Sequence, residues 1–224
     1  MNKNTYLGLI IARGGSKGLP LKNVLPCAGK PLINWTIEAA QSSNCFDRII
    51  LSTDDEKIAN AAISAGCEVP FIRPKSHAQD SSTVAEVIHH ALSCLKEKYS
   101  HLVLLQATSP CRKPEHIQEA IEKYEKNSFD TLISVCRAPE KAGWILKESD
   151  NGQVRFILQN QIQQRQKLPR LYYPNGAIYI TDSLEFRDSF YGSNTGYYEM
   201  PQNDSIDVDT KEDLDQAQRI LARP

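Results

Sequence analysis

Over the first two thirds of the chain, hydrophobic and polar positions alternate between two rhythms. Short, nearly continuous apolar runs read as buried strands, and longer stretches with apolar residues every three or four positions read as amphipathic helices. Tyr6 to Ile11 is the first run, Asp47 to Ser52 the second. Cys67 to Ile72 reads as a third strand, and Pro70 confines it to a sheet edge because proline has no N–H for a ladder. His101 to Leu105 and Asp130 to Val135 continue the series. Between them the spacing predicts helices from Pro31, from Asp54 and Asp55 to Ala65, from Thr83 to Lys98 and from Pro114 to Lys126. Repeated strand–helix units of this length imply an α/β fold with a doubly wound, mostly parallel, Rossmann-like sheet.

The rhythm stops near Arg137. From Ala138 to Tyr173 there are short strand-like pieces, Trp144 to Lys147 and Val154 to Ile157, around the turn Ser149 to Gly152. A polar, glutamine-rich segment follows, Gln159 to Lys167. A stretch like this is either an arm that packs on a second copy of the chain or a surface excursion. The core pattern resumes at Asn175 to Ile180. A strand-like Asp204 to Asp209 then leads into a helix from Thr210, with Asp213 three residues on. The expectation is one domain over 1–224 with an arm inserted at 138–173.

Charge narrows the function. Lys and Arg number 26 against 27 Asp and Glu, without the basic excess of a general nucleic-acid binder. Hydrophobic residues at 41% support a sizeable core. No apolar run reaches membrane-spanning length and the first residues lack a signal-peptide core, so a soluble cytoplasmic protein is expected. The six cysteines and five histidines show no zinc-ligand spacing.

Three stretches carry chemistry. Between the first strand and the first helix lies a loop with Gly14, Gly15 and Gly18 and the cations Arg13, Lys17 and Lys22. Backbone N–H groups in a glycine-rich loop form an anion-binding concavity, and side-chain cations add full charge. The loop is neither a Walker loop nor the dinucleotide fingerprint, and the cation density favours a triphosphate over a solvated turn. Near the other end, Asp207 and Asp209 alternate around Val208, which puts both carboxylates on one face of a strand-like segment. They either hold a hard dication such as Mg2+ or cap the last helix and face water. Strand-end loops at Gln106, Thr108 and Ser109 and at Arg73, Asp80, Ser81 and Ser82 supply polar groups suited to a base or sugar, or to ordinary turns.

Taken together and in order, the motifs resemble one family. Ile11-Ala-Arg-Gly-Gly-Ser-Lys-Gly-Leu-Pro-Leu-Lys-Asn23, Arg73-Pro74, Leu105-Gln-Ala-Thr-Ser-Pro110, Arg165-Gln-Lys-Leu-Pro169, Pro174-Asn-Gly-Ala-Ile-Tyr179 and Asp204-Ser-Ile-Asp-Val-Asp-Thr210 are similar to those of the CMP-sialic acid synthetases (acylneuraminate cytidylyltransferases), including legionaminate-type members. The resemblance implies a nucleotidyltransferase domain that joins CTP to a nonulosonic acid, with Mg2+ and a homodimer sharing its active sites. It implies that Arg13, Ser16, Lys17, Lys22 and Asn23 hold the triphosphate and ribose, and that Arg73 and Asp80 to Ser82 (Asp80, Ser81, Ser82) read cytosine. Gln106, Asn175 and Tyr179, with Phe190 and Tyr191 as an aromatic wall, would line the sugar pocket. Asp207 and Asp209 would hold the metal, and Arg165 would reach the neighbour's site. Tyr173 stands where some members carry arginine, which makes N,N'-diacetyllegionaminate a near-equal alternative to N-acylneuraminate. A metal-dependent glycosyltransferase, suggested by Asp207-Val-Asp209, and a non-catalytic nucleotide sensor are the rival classes.

Overall fold

The first strand shows how the sheet is buried. In the computed structural model, which describes residues 4–16, 18–149, 151–158 and 169–222, β1 (Tyr6–Ile11) turns alternate side chains to opposite faces. Tyr6 and Ile10 pack with one hydrophobic cluster, Leu7 and Leu9 with another. A strand buried on both sides needs apolar residues at every position, hence the continuous run in sequence. The first cluster draws on α1 (Leu32–Ser43), α2 (Glu56–Ser64) and α4 (Pro114–Asn127), the second on α3 (Val84–Cys94). Helices thus cover both faces.

The remaining large strands are β4 (Arg48–Ser52), β5 (His101–Gln106), β6 (Thr131–Arg137), β9 (Tyr172–Asp182) and β10 (Thr195–Met200). Their order is β10-β6-β9-β5-β1-β4, and β9 alone runs antiparallel to its neighbours. The mostly parallel α/β reading is borne out. The expected third strand is not: it is reduced to a single bridge, Ile50 to Glu68, since Pro70 donates nothing to a ladder.

Smaller elements complete the chain. β2 (Pro26–Cys27) and β3 (Lys30–Pro31) form a ribbon under α5 (Lys211–Leu221), where Cys27, Leu32, Val208, Leu214 and Ala217 make a third cluster. β7 (Leu146–Glu148) and β8 (Val154–Phe156) form an antiparallel hairpin with exposed Ile145, Leu146, Val154, Phe156 and Ile157. The polar segment of the expected arm, Gln159 to Lys167, lies outside the described residues. Residues 205–209 are an extended loop rather than the strand their alternation suggested, yet they reach the site intact.

Candidate functional site

Parallel pairing brings the carboxyl ends of three strands together. Ile11 of β1 is level with Ser52 of β4 and Gln106 of β5, so the loops that follow them converge where open α/β sheets bind ligands. They enclose a cleft of about 610 Å³.

The loop after β1 forms one wall. Gly14 donates its N–H to Asp54 Oδ1 at 3.0 Å. A Cβ there would lie 2.9 Å from the Asp55 side chain, and Asp55 is the N-cap of α2, accepting from the N–H groups of Lys57 and Ile58. Glycine is therefore required where the loop crosses the helix start. Asn23 is buried: its Nδ2 donates to Arg13 O at 3.1 Å, while its Oδ1 has no partner among the described residues. A buried acceptor left open beside a cleft is ready for a ligand donor.

The opposite wall is the loop beyond β4. Arg73 is buried, donates to Ala12 O and lies 3.8 Å from Asp54. Burial lowers its pKa, with Asp54 opposing and Arg13 adding to the effect. Arg13 Nη1 meets Asp80 Oδ1 at 2.8 Å, so an ion pair joins the two walls. Ser82 and Asp80 both line the cleft. Ser82 Oγ also ties its own loop, donating to Ser76 O and accepting from Gln79 N.

The acidic segment closes the third side. Lys22 Nζ donates to Val208 O at 2.9 Å and to Asp209 Oδ1 at 2.6 Å. A Cβ on Gly18 would lie 2.8 Å from Asp209 O, so loop and acidic segment are in direct backbone contact. Val208 N donates to Thr108 O, which fixes the height of both carboxylates. Asp207 opens to the cleft on one side, but protein crowds its carboxyl. That burial raises its pKa; the Thr108 hydroxyl bonded to it acts the other way, and Asp209 adds repulsion. Gly176, with φ of +76°, brings its backbone close to Gln106 Oε1 and Asp207 Oδ2.

A second cavity of about 200 Å³ adjoins the first, sharing Thr83, Val84 and Gln106. Leu104, Tyr179, Phe186 and Phe190 make it largely apolar, with Tyr191 and Asp188 at its edge. Phe190 packs on Tyr179 and on Phe186, and His89 Nε2 meets Asp188 Oδ1 at 2.5 Å, anchoring this aromatic loop to α3.

The structure therefore gathers Arg13, Ser16, Lys22, Asn23, Arg73, Asp80, Ser82, Gln106, Asp207 and Asp209 around the first cleft, and Tyr179, Phe190 and Tyr191 around the second. Lys17 and Arg165 lie outside the described residues. Ser81 is exposed and does not line the cleft.

Asn175 departs from its expected place in the sugar pocket. It is buried, with Oδ1 accepting from Ser134 Oγ and Nδ2 donating to Ser205 Oγ, and it lines neither cavity. Its polar atoms are already used in tying β6 and β9 to the acidic segment. Tyr173 likewise lines neither cavity; it pairs with Cys136 in the sheet. Sequence reasoning missed Val84, Phe186 and Asp188, since only the fold brings α3 and the loop after β9 against β5.

Comparisons with known proteins bear on the family and the fold. A family model described as cytidylyltransferase matches residues 7–222. The N-acylneuraminate cytidylyltransferase of Streptococcus agalactiae serotype III is 39% identical over 211 residues, 92% of this chain and 51% of that protein. The pseudaminic acid cytidylyltransferase of Campylobacter jejuni serotype O:2 is 33% identical over 217 residues, 93% of each chain. The chain thus spans about half the length of the streptococcal relative and nearly all of the Campylobacter one. A CMP:2-keto-3-deoxy-manno-octonic acid synthetase complexed with CTP superposes with a TM-score of 0.75 at 16% identity, covering 98% of this chain and 99% of that one.

Proposed function

The chain belongs to the cytidylyltransferase family, and from that premise we propose that it transfers CMP from CTP to the anomeric hydroxyl of a nonulosonic acid, releasing pyrophosphate. One observation carries the reading. A cationic glycine loop and an acidic pair from opposite ends of the chain face one cleft and are joined by Lys22. A glycosyltransferase needs no triphosphate wall of this kind, and a sensor needs no acidic pair beside it.

In this reading Arg13 and Lys22 take the phosphates, together with Lys17, and neutralise the charge that builds on the leaving pyrophosphate. Phosphate binding would draw Arg13 away from Asp80 and Lys22 away from Asp209. The open Asn23 Oδ1 accepts a ribose hydroxyl, and Arg73 with the Asp80 loop faces the base. Gln106, at the junction of the two cavities, orients the sugar so that its hydroxyl lies in line with the α-phosphorus.

Asp207 and Asp209 are hard oxygen donors that repel each other, and this donor set fits Mg2+. Among the described residues no cluster of three or more His, Cys, Asp or Glu suited to a metal forms. Phosphate oxygens and water would therefore complete the shell, which suits Mg2+. When bound, the ion would polarise the phosphates.

N-acylneuraminate is the first substrate reading. The apolar second cavity favours a close second: a 9-deoxy, diacylamido sugar of the legionaminate or pseudaminate type, whose methyl and acyl groups bury well against Phe186 and Phe190. The exposed apolar side chains of the β7–β8 hairpin support a homodimer, and the six free cysteines support a reducing, cytoplasmic setting. Among the described residues no helix is long and apolar enough to cross a membrane. The test is pyrophosphate release from CTP with N-acetylneuraminate, N,N'-diacetyllegionaminate, pseudaminate and Kdo. Turnover with one of the first three supports the reading, and turnover with none of those three, or with Kdo alone, refutes it.

A further inference from the structure

Behind the junction of the two cavities sits a cation that the reaction scheme leaves unused. Arg112 follows β5 in the turn before α4 and is 2% exposed. Its Nη1 donates to Ala177 O at 2.8 Å and to Gln106 O at 3.3 Å. Its Nε and Nη2 have no hydrogen-bond partner among the described residues. Burial pulls its pKa down to about 9, and among the described residues no carboxylate pairs with it. A charge buried without a counter-ion is a costly thing for a fold to keep. A purely structural link between two carbonyls would need only a neutral donor.

The two carbonyls that Arg112 joins suggest what the charge is for. Gln106 ends β5 and lines both cavities. Ala177 follows Gly176, where a Cβ would lie 3.1 Å from Gln106 Oε1 and 3.7 Å from Asp207 Oδ2. One guanidinium nitrogen therefore bridges the end of β5 at Gln106 and the middle of β9 at Ala177, beside the longer 3.4 Å bonds that Thr36 Oγ1 and Ser109 N make to Gln106 O. We propose that Arg112 is a positioning residue for sugar transfer, holding Gln106 at the junction of the nucleotide and sugar cavities from beneath. The role rests on the cytidylyltransferase reading. Arg112 touches neither cavity, so its removal acts through Gln106: it should disturb the sugar step while leaving nucleotide binding to the loop after β1.

Arg112→Lys, one bond shorter, and Arg112→Met, without donors, test this. The readouts are melting temperature, CTP affinity by calorimetry, and KM and kcat for the sugar. For Arg112→Met we expect CTP affinity within about threefold of wild type and kcat/KM for the sugar down by ~10²-fold, the scale of a small misplacement of reacting groups. Arg112→Lys should recover at least tenfold of that loss. In a Gln106→Ala background, Arg112→Lys should cost less than about threefold, which keeps the test decisive if Arg112→Met fails to fold. Variants that melt lower but retain wild-type sugar kinetics would overturn the role and leave the cytidylyltransferase reading standing. Wild-type protein that neither binds CTP nor releases pyrophosphate from it would overturn both.

Discussion

Lys22 Nζ stands 2.6 Å from Asp209 Oδ1, joining two residues 187 positions apart in the chain. This contact ties the cationic loop to the acidic segment and holds the Asp209 carboxylate at the cleft edge before any ligand enters. Asp209→Asn should keep the fold, because Lys22 still donates to Val208 O. It should lower kcat by ~10²-fold or more, since an amide holds a dication poorly and transition-state charge loses its support. Steady-state kinetics at saturating Mg2+ check this, and a near-normal kcat would remove the acidic pair from the chemistry.

Gly18 tests the same contact through the backbone. A methyl group there meets Asp209 O at 2.8 Å, and a carbonyl cannot swing aside as a flexible side chain can. Gly18→Ala should push loop and acidic segment apart and cost roughly tenfold or more in kcat/KM for CTP, while the melting temperature falls little, because the contact is at the surface of the cleft. Kinetics paired with a thermal melt separate the two effects.

Asn175 tests the frame behind the site. Asn175 Oδ1 accepts from the buried Ser134 Oγ and Ala177 N, and its Nδ2 donates to Ser205 Oγ, so Asn175→Ala takes the acceptor from two buried donors. It should destabilise the fold by about 1–3 kcal/mol, measured by urea denaturation. An unchanged midpoint would return Asn175 to the role of a ligand contact.

Residues such as Asn175 also mark what was legible in the sequence. The loop after β1 and the acidic pair could be singled out, because glycines, cations and paired carboxylates stand out by type; that they face one cleft needed the fold. The buried strand β1 could be read from its unbroken apolar run. The antiparallel direction of β9 could not, since strand direction follows from the connection, and the rhythm of strand and helix had already stopped at Arg137. In sequence Asn175 reads as the start of a strand and part of the sugar pocket, and Arg112 does not stand out; only the packing around β5, β6 and β9 shows that both are buried behind the site. The apolar second cavity was half legible: Tyr179, Phe190 and Tyr191 came from motif resemblance, while Val84 and Phe186 needed the fold.

The pH dependence of stability follows from partly buried histidine. His101 stacks on Tyr6 at 4.8 Å, and burial lowers its pKa against the opposing pull of Asp182 and Glu125. The unfolded chain takes up a proton near pH ~6.5 that the folded chain refuses. Stability is therefore full above that value and is lost as pH falls through it toward the lowered folded pKa. His90 and His116 are shifted in the same direction. His101→Phe, which keeps the stack, should flatten the fall in melting temperature between about pH 7 and 5. An unchanged slope would assign the acid sensitivity to other groups.

The central claim is that a sugar hydroxyl attacks the α-phosphorus of CTP in the cleft between the cationic loop and the acidic pair. The most direct measurement follows oxygen. A nonulosonic acid carrying 18O at its anomeric hydroxyl is incubated with CTP, Mg2+ and the protein, and the product is read by 31P NMR and mass spectrometry. The account predicts a CMP-sugar with 18O in the bridge to phosphorus and unlabelled pyrophosphate. A product whose bridge lacks the label, or CTP cleaved to CMP with no sugar attached, would contradict it.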